Sequence, residues 1–200
     1  MVATVTRVRR LRSRIGPCAI LRRVEAPGPR DSTDWVEVTI EIPFGSRNKY
    51  EYDHRRHRFV LDRVLYSSVH YPADYGFIEG SLAEDGDPLD VLVLIAEPTF
   101  PGCVVRARPV GVLDMADEKG HDHKILAVAR DDPRWEATMA LEDLSPHRLR
   151  EIENFFETYK TLENRPTEVN GWLGVDDAWR IIDAARAAVG TEGTEPGTWR

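Results

Sequence analysis

The most informative stretch of the chain is Gly80-Ser-Leu-Ala-Glu-Asp-Gly-Asp-Pro-Leu-Asp-Val-Leu-Val-Leu-Ile95. It places Asp85, Asp87 and Asp90 immediately before an apolar run that predicts a buried strand. Three ionised carboxylates at one strand end repel one another, so either some stay protonated or a multivalent cation compensates their charge. Oxygen ligands favour hard cations such as Mg²⁺ or Mn²⁺. The stretch therefore predicts a metal site.

Two other interpretations of this acidic loop have to be weighed. A solvated turn is one, because Asp, Gly and Pro are the residues from which turns are commonly made. An EF-hand is the other, and it is excluded because the sixth and twelfth positions counted from Asp85 are Asp90 and Ala96 rather than Gly and Glu. In favour of a metal site, Gly86 permits the tight bend that turns the carboxylates toward one point, while Pro88 restricts the backbone.

Charge is divided unevenly along the chain. The 200 residues are 42% apolar and have a net charge of −7, which suits one domain with a core of ordinary size. Residues 1–30 contain eight arginines and one glutamate, so residues 31–200 have a net charge of −14. Such an acidic body repels nucleic acid and membrane surfaces unless bound cations reverse its charge locally. We therefore expect neither nucleic acid nor membrane as a partner.

The start of the chain is treated separately. Residues 1–30 are predicted to form an Arg-rich, disordered extension, and residues 31–200 a single domain. An organellar transit peptide is the alternative for the extension, but serine is scarce there and Gly and Pro interrupt the helical pattern. Cys18 and Cys103 are too few for a disulfide framework, which indicates reduced thiols and a cytoplasmic protein. The longest apolar run, Val91 to Ala96, is far shorter than the roughly 20 residues of a membrane-spanning helix.

Short strands are predicted from Trp35 onward. Residues 36–42 alternate apolar with polar side chains, the period of two that is typical of a half-buried strand, with Glu41 on the polar face. The further predicted strands are residues 49–52, 59–66, 91–95, 104–112 and 125–128. Several short strands joined by Gly and Pro turns indicate a mainly β chain of the α+β class that forms a small closed barrel.

Helical periodicity is present only near the end of the chain. Ser145 is a good N-cap and Pro146 a good first residue for one helix, whose apolar stripe includes Ile152 and Phe156. A second helix is predicted over residues 176–189. The Gly- and Glu-rich residues from Gly190 are predicted to fray.

A second acidic group, Asp117-Glu-Lys-Gly-His-Asp122, lies between two predicted strands and is followed by Lys124. Loops at one rim of a barrel can bring it beside the first acidic loop. Several basic and phenolic residues suit phosphate oxygens: Lys49, Arg63, Lys124, Tyr71, Tyr75, Tyr159 and Lys160. Each of these has an ordinary structural role as its alternative. Together, carboxylates for metals and cations for an anion indicate a polyphosphate ligand.

Eight segments of the chain resemble the soluble, family I inorganic pyrophosphatases of the bacterial type in order and spacing. They are Glu41-Ile-Pro43, Asn48-Lys-Tyr-Glu51, Asp62-Arg63, Tyr71-Pro-Ala-Asp-Tyr-Gly-Phe-Ile78, Asp85-Gly-Asp-Pro-Leu-Asp90, Arg108-Pro-Val-Gly111, Asp117-Glu118 with Asp122 and Lys124, and Phe155-Phe-Glu-Thr-Tyr-Lys160. The resemblance covers about residues 35–185. It implies a five-stranded OB-like β-barrel with flanking helices. It also implies a Mg²⁺-dependent hydrolase that converts pyrophosphate to two phosphates and, in bacterial members, usually a hexamer.

The resemblance also implies a role for each matching residue. Asp85, Asp90 and Asp122 would bind the tightest metal, and Glu41, Glu51 and Asp117 would serve or adjoin further metals, with Mn²⁺ and Zn²⁺ as candidate substitutes for Mg²⁺. Phosphate oxygens would be held by Lys49, Arg63, Lys124, Tyr159 and Lys160, with Tyr75 assisting catalysis and binding. A water activated between two metal ions would attack phosphorus without a covalent intermediate. Asp87 would accept its proton, with Asp122 as the alternative.

Three other functions remain alternatives: a nucleic-acid-binding OB module, a catalytically inactive relative that serves as an interaction subunit, and a different phosphohydrolase. The charge of −14 disfavours the first, since such modules bind through basic grooves. The complete carboxylate set disfavours an inactive relative. The lack of an evident base-stacking motif disfavours a phosphohydrolase that acts on nucleotides. His121 and His123 flank Asp122, but we expect both to point away from its metal because flanking residues usually do and hard cations prefer oxygen.

Overall fold

Strands predominate in the part of the chain that the computed structural model describes, which is residues 34–117, 120–165 and 167–189. The strands are β1 (Val36–Ile42), β2 (Asn48–Asp53), β3 (Arg58–Val64), β4 (Asp74–Ile78), β5 (Asp90–Leu94), β6 (Val104–Asp117), β7 (Gly120–His121), β8 (Lys124–Ala129) and β9 (Glu168–Leu173). The helices are α1 (Pro146–Thr158) and α2 (Val175–Val189). The predicted Arg-rich extension and the predicted fraying from Gly190 fall outside the described residues.

Five strands close into a ring. Their order is β1-β4-β5-β8-β6, and β6 pairs back onto β1, for example through Val38 and Val105. The pair β5–β8 is parallel, with Val91 opposite Ile125, and the other pairs of the ring are antiparallel. β9 and β7 extend the sheet from β6, whereas β2 and β3 form a separate hairpin. The predicted α+β class and the five-stranded, OB-like barrel with flanking helices are confirmed.

Most strands lie within a few residues of their predicted positions, and three were not predicted: β4, β9 and the two-residue β7. β4 was not predicted because all five of its residues are buried, so it shows no alternation of polar and apolar side chains. β9 was not predicted because Gly171 interrupts the strand pattern. Gly171 has φ of 122° and lies where the register of β9 against β6 shifts. The predicted strand at 104–112 continues as far as Asp117 because it pairs successively with β1, β8, β9 and β7.

The two helices begin and end close to where the sequence places them. The Ser145 side chain accepts a hydrogen bond from the backbone N–H of His147, and Pro146 is the first residue of α1. Ile152, Phe155 and Phe156 form its buried face. α2 buries Trp179 and Ile182 among its apolar residues.

The helices cover opposite faces of the same strands. Leu92 and Leu94 of β5 belong to an apolar cluster that includes the buried face of α1. Their neighbours Val91 and Val93 belong to a second cluster that includes α2. Because both faces of β5 are covered, its residues form a continuous apolar run, and the carboxylate of Asp90 lies at its open end.

No helix in the described part of the chain is both long enough and apolar enough to span a membrane.

Candidate active site

The acidic loop before β5 is bent as its sequence predicts. Gly86 has φ of 89°, a conformation that favours glycine, and its N–H donates to the carbonyl of Ala83. The N–H of Asp87 donates to Oδ1 of Asp85 at 3.1 Å, while the Asp87 carbonyl accepts from Ala83 at 2.8 Å. These local bonds fix the backbone between Asp85 and Asp90, so that their carboxylates face one cavity.

That cavity has a volume of about 670 Å³ and is bounded by the acidic loop, the end of β1, part of β4 and the β2–β3 hairpin. The predicted site residues in its wall are Glu41, Lys49, Glu51, Tyr75, Asp85, Asp87 and Asp90. At its other end the wall is formed by the hairpin turn, with His54, Arg55 and Arg56. With Asp53 of the hairpin, six carboxylates therefore share one cavity with cationic side chains of the hairpin.

Glu41 has an unusual acidity for a glutamate. Burial at the end of β1 raises its pKa to about 7, although its Oε1 accepts a 2.7 Å hydrogen bond from the backbone N–H of Tyr52, which lowers it. The nearby negative charge of Asp90 raises the pKa further. Glu41 thus changes charge near neutral pH, and an approaching cation would favour its ionised form.

The hairpin carries a chain of alternating charges. Lys49 Nζ contacts Oε1 of Glu51 and lies 3.6 Å from Oδ2 of Asp62, which in turn pairs with Arg63. Arg63 Nε donates to Oε1 of Glu163 at 3.0 Å. Burial alone would lower the pKa of Arg63, but the hydrogen bonds to Glu163 and Asp62 outweigh it and raise the pKa. Arg63 lies outside the cavity wall and is held in place by these two carboxylates.

Lys124 is the most buried cation of the site, with 4% of its surface exposed. Its Nζ contacts Oδ2 of Asp90 and Oδ1 of Asp122, so the structure brings these two predicted ligands together. The ammonium supplies the positive charge that their proximity requires. Asp85 lines the same cavity, but within the described chain its carboxylate does not lie within 4.8 Å of both Asp90 and Asp122.

Of the remaining predicted side chains, Tyr71 is buried in the apolar cluster under α1, whereas Tyr75 and Tyr159 lie close to cationic nitrogens. Tyr75 and Tyr159 are buried, and burial raises the pKa of both phenols, so both remain protonated hydrogen-bond donors. The ring of Tyr75 lies 5.9 Å from Lys124 Nζ, and the ring of Tyr159 lies 5.4 Å from Nζ of the buried Lys160. Tyr159 and Lys160 follow α1 directly and lie outside the cavity wall.

One predicted ligand is only partly described. Asp117 is the last residue of β6, where its backbone pairs with Gly120, and its side chain is outside the described part of the structure. Three carboxylates had been given no role from the sequence: Asp62, quoted only as the neighbour of Arg63, which links Lys49 to Arg63; Glu163, which holds Arg63; and Asp114, which lies beside His121 and His123. Asp62 had a signal in its adjacency to Arg63, whereas Glu163 is 100 residues away from Arg63 and had none.

Comparisons with known proteins agree with this geometry. A sequence model described as inorganic pyrophosphatase matches residues 38–189. The chain is 54% identical to the inorganic pyrophosphatase of Nostoc sp. over 148 residues, which cover 74% of this chain and 88% of that protein. It is 50% identical to the inorganic pyrophosphatase of Leifsonia xyli over 158 residues, which cover 78% of this chain and 97% of that protein.

A solved structure extends the likeness to three dimensions. The crystal structure of the inorganic pyrophosphatase from Thermus thermophilus superposes with a TM-score of 0.77 at 43% sequence identity, and the match covers 82% of this chain and 97% of that one. The match at the level of family, sequence and fold spans the barrel, both helices and the acidic cavity. The chain belongs to the inorganic pyrophosphatase family.

Proposed function

We propose that this protein hydrolyses inorganic pyrophosphate to two phosphates with Mg²⁺ as its cofactor. The observation that carries the proposal is a single cavity whose wall combines six carboxylates with Lys49. Carboxylates suit cations, and cations suit phosphate oxygens, so the cavity is equipped for a metal-bound polyphosphate. Membership of the inorganic pyrophosphatase family supports the same substrate.

The donor set fits hard divalent cations. The acidic donors in the cavity wall are carboxylate oxygens. Mg²⁺ and Mn²⁺ prefer such oxygen ligands more strongly than Zn²⁺ does. Asp85, Asp90 and Asp122 would hold the tightest ion, and Glu41, Glu51 and Asp117 would hold or adjoin the others. When bound, these ions lower the pKa of a coordinated water and neutralise charge on the phosphates. Mn²⁺ and Zn²⁺ are proposed substitutes for Mg²⁺.

Asp87 is the proposed proton acceptor. Its side chain is exposed and lines the cavity, and the family resemblance supports this role. The carboxylate of Asp122, the alternative acceptor, contacts the buried ammonium of Lys124, whose positive charge favours the ionised form and makes that carboxylate a weaker base.

The cations and phenols are proposed to position and neutralise the phosphates. Lys49 lies in the cavity wall, and Arg63 is oriented by Glu163 behind it. Lys124 has three N–H donors, and two of them are directed at Asp90 and Asp122, which leaves the third for a phosphate oxygen. Tyr75, Tyr159 and Lys160 would donate in the same way. Charge stabilisation and positioning are most of what phosphoryl transfer requires, so no covalent intermediate is needed.

The test is phosphate release from pyrophosphate and from ATP, with Mg²⁺ or with EDTA, by the wild type and Asp87→Asn. We expect Mg²⁺-dependent release from pyrophosphate, slow release from ATP, and a loss of about 10²- to 10⁴-fold in kcat in the variant. Asp53→Asn is the matched control, because Asp53 lies in the same wall but caps the hairpin turn through Arg55 and Arg56.

Each contrary result identifies a different error. If Asp87→Asn keeps full activity and Asp122→Asn is inactive, the role of proton acceptor belongs to Asp122. Equal rates with ATP would make the protein a broader phosphohydrolase. No release from folded protein supplied with Mg²⁺ would make it an inactive relative.

We also propose a cytoplasmic homo-oligomer, hexameric in solution, without nucleic-acid or membrane partners. Exposed large apolar side chains support subunit contacts, among them Phe100 at 65% and Tyr66 at 64% exposure. The net charge of −14 on residues 31–200 supports the lack of nucleic-acid binding. Sedimentation of the full chain measures the oligomer, and a monomer at micromolar concentration would contradict this part of the proposal.

A further inference from the structure

Asp114 has a buried carboxylate oxygen that the active-site proposal does not use. It lies on β6, and its Oδ1 has no hydrogen-bond partner within the described chain. Two imidazole nitrogens face this oxygen: Nε2 of His123 at 3.4 Å and Nδ1 of His121 at 3.8 Å. A buried carboxylate oxygen that accepts no hydrogen bond is costly, unless a cation or an ionised partner compensates it.

The backbone explains why both histidines face Asp114. Ala116 pairs with His121, and the N–H of Asp122 donates to the carbonyl of Met115, so the segment returns along β6. In an extended segment, alternate side chains point to the same side. His121 and His123 therefore lie together, with parallel rings whose centroids are 5.7 Å apart, while the carboxylate of Asp122 between them contacts Lys124.

We propose that Asp114, His121 and His123 form a second metal site, which binds Zn²⁺. Their three ligand atoms all lie within 4.8 Å of one another. Tetrahedral Zn²⁺ with bonds of about 2.0 to 2.1 Å places its ligands about 3.3 Å apart, close to the two Asp114–histidine distances. The two histidine nitrogens, within 4.8 Å of each other, would reach that spacing by rotation of the exposed His121 ring. One coordination position remains for water or a further ligand.

The ligand chemistry separates this site from the carboxylate cavity. Two imidazoles and one carboxylate favour a transition metal ion, whereas a set of carboxylate oxygens favours Mg²⁺. His121 is 61% exposed, which gives an ion a path to the site, and Asp114 and His123 are each about one quarter exposed and form its base. The competing explanation is an ion pair between Asp114 and a protonated histidine, which needs no metal.

The first experiment is calorimetric titration of Zn²⁺ into the full chain with Mg²⁺ in large excess, so that Mg²⁺ occupies the carboxylate cavity. We expect the wild type to bind one Zn²⁺ equivalent per chain more than Asp114→Asn and His123→Gln. His147→Gln is the matched control, because His147 is exposed and lies 3.5 Å from Glu151 on α1. Equal stoichiometry and affinity in the wild type and all three variants would overturn the proposal.

The second experiment uses the wild type alone, so that a folding defect in a variant cannot decide the result. Zn²⁺ should shift the ring resonances of His121 and His123 together and saturate at one equivalent, with no shift at His147. Co²⁺ should give visible absorption bands that saturate at the same single equivalent. Shifts spread over all histidines, or none at His121 and His123, would show that the cluster is only an ion pair.

Discussion

Asp90 and Lys124 occupy the first positions of two neighbouring parallel strands, and the ammonium of Lys124 contacts Oδ2 of Asp90. Parallel strands begin at the same edge of a sheet, so the register of β5 and β8 brings the two side chains together. Burial alone would lower the pKa of Lys124, but the negative charges of Asp90 and Asp122 outweigh it and raise the pKa. Lys124 therefore remains an ammonium ion at the end of the barrel.

Replacing Lys124 by Met should destabilise the protein strongly. The substitution preserves apolar packing but leaves Asp90 and Asp122 without their shared cation, and breaking a buried ion pair in this way costs about 3 to 5 kcal/mol. Urea unfolding in EDTA measures the free energy of unfolding. The double variant Lys124→Met/Asp122→Asn should lose less free energy of unfolding than the two single variants lose together, because it removes one uncompensated charge. Strict additivity would show that the pair is not coupled.

The raised pKa of Glu41 predicts a specific dependence of stability on pH. In EDTA, the folded protein binds the Glu41 proton more tightly than the unfolded chain does, with a pKa of about 7 against the ordinary glutamate value of 4.5. Glu41 therefore makes its full contribution to the free energy of unfolding below pH 4.5, and this contribution is lost progressively as the pH rises through 7. The loss should amount to no more than about 3 kcal/mol.

Glu41→Gln removes this titration. Relative to the wild type, the variant should gain stability between pH 5 and pH 8, as measured by thermal or urea unfolding in EDTA. Glu37→Gln, on the exposed side of the same strand, serves as the control and should follow the wild type at both values. A constant difference between Glu41→Gln and the wild type across this range would contradict the shifted pKa.

Glu163 is expected to act through Arg63, as a positioning residue. Glu163→Gln keeps the side-chain shape but removes a charge-assisted hydrogen bond of about 1.5 kcal/mol, so KM for pyrophosphate should rise by up to about tenfold while kcat changes less. Steady-state kinetics provide the measurement. The exposed Glu142, in the three-residue 3₁₀ helix Leu141–Asp143, gives the control variant Glu142→Gln. Loss of thermal stability without a change in KM would indicate a purely structural role.

Gly76 should tolerate no side chain. It lies on β4 opposite Ile40 of β1, and an added Cβ would be 2.0 Å from the carbonyl oxygen of Thr39 and 2.8 Å from Cα of Ile40. Both contacts are to backbone, so the strands must separate, at a cost of about 1 to 3 kcal/mol or more. Gly76→Ala should lower the urea midpoint, whereas Gly174→Ala, with no atom within 4 Å of the added Cβ, should not. Equal midpoints would contradict the predicted clash.

The local sequence pattern was sufficient to predict the barrel class and both helices, because strand alternation and helix capping depend on neighbouring residues. Fully buried β4 and the glycine-interrupted β9 were not recognisable, since pairing partners distant in the chain define them. The site divides in the same way. The bend at Gly86 follows from its own loop, whereas the contact of Arg63 with Glu163 depends on how the hairpin meets the residues after α1.

The histidines beside Asp122 illustrate the limit of spacing. Their predicted direction, away from Asp122, agrees with the contact that Asp122 makes with Lys124. What the spacing could not supply was Asp114, because the return of the chain along β6 creates that proximity.

The hydrogen bond from Tyr52 to Glu41 joins two parts of the molecule that are otherwise separate sheets. Glu41 belongs to the closed ring, and Tyr52 to the hairpin that carries Lys49 and Arg63. One carboxylate thus lines the cavity and also holds the hairpin against the barrel. A cation that binds Glu41 would therefore act on the same side chain that fixes the position of Lys49 and Arg63 relative to the ring.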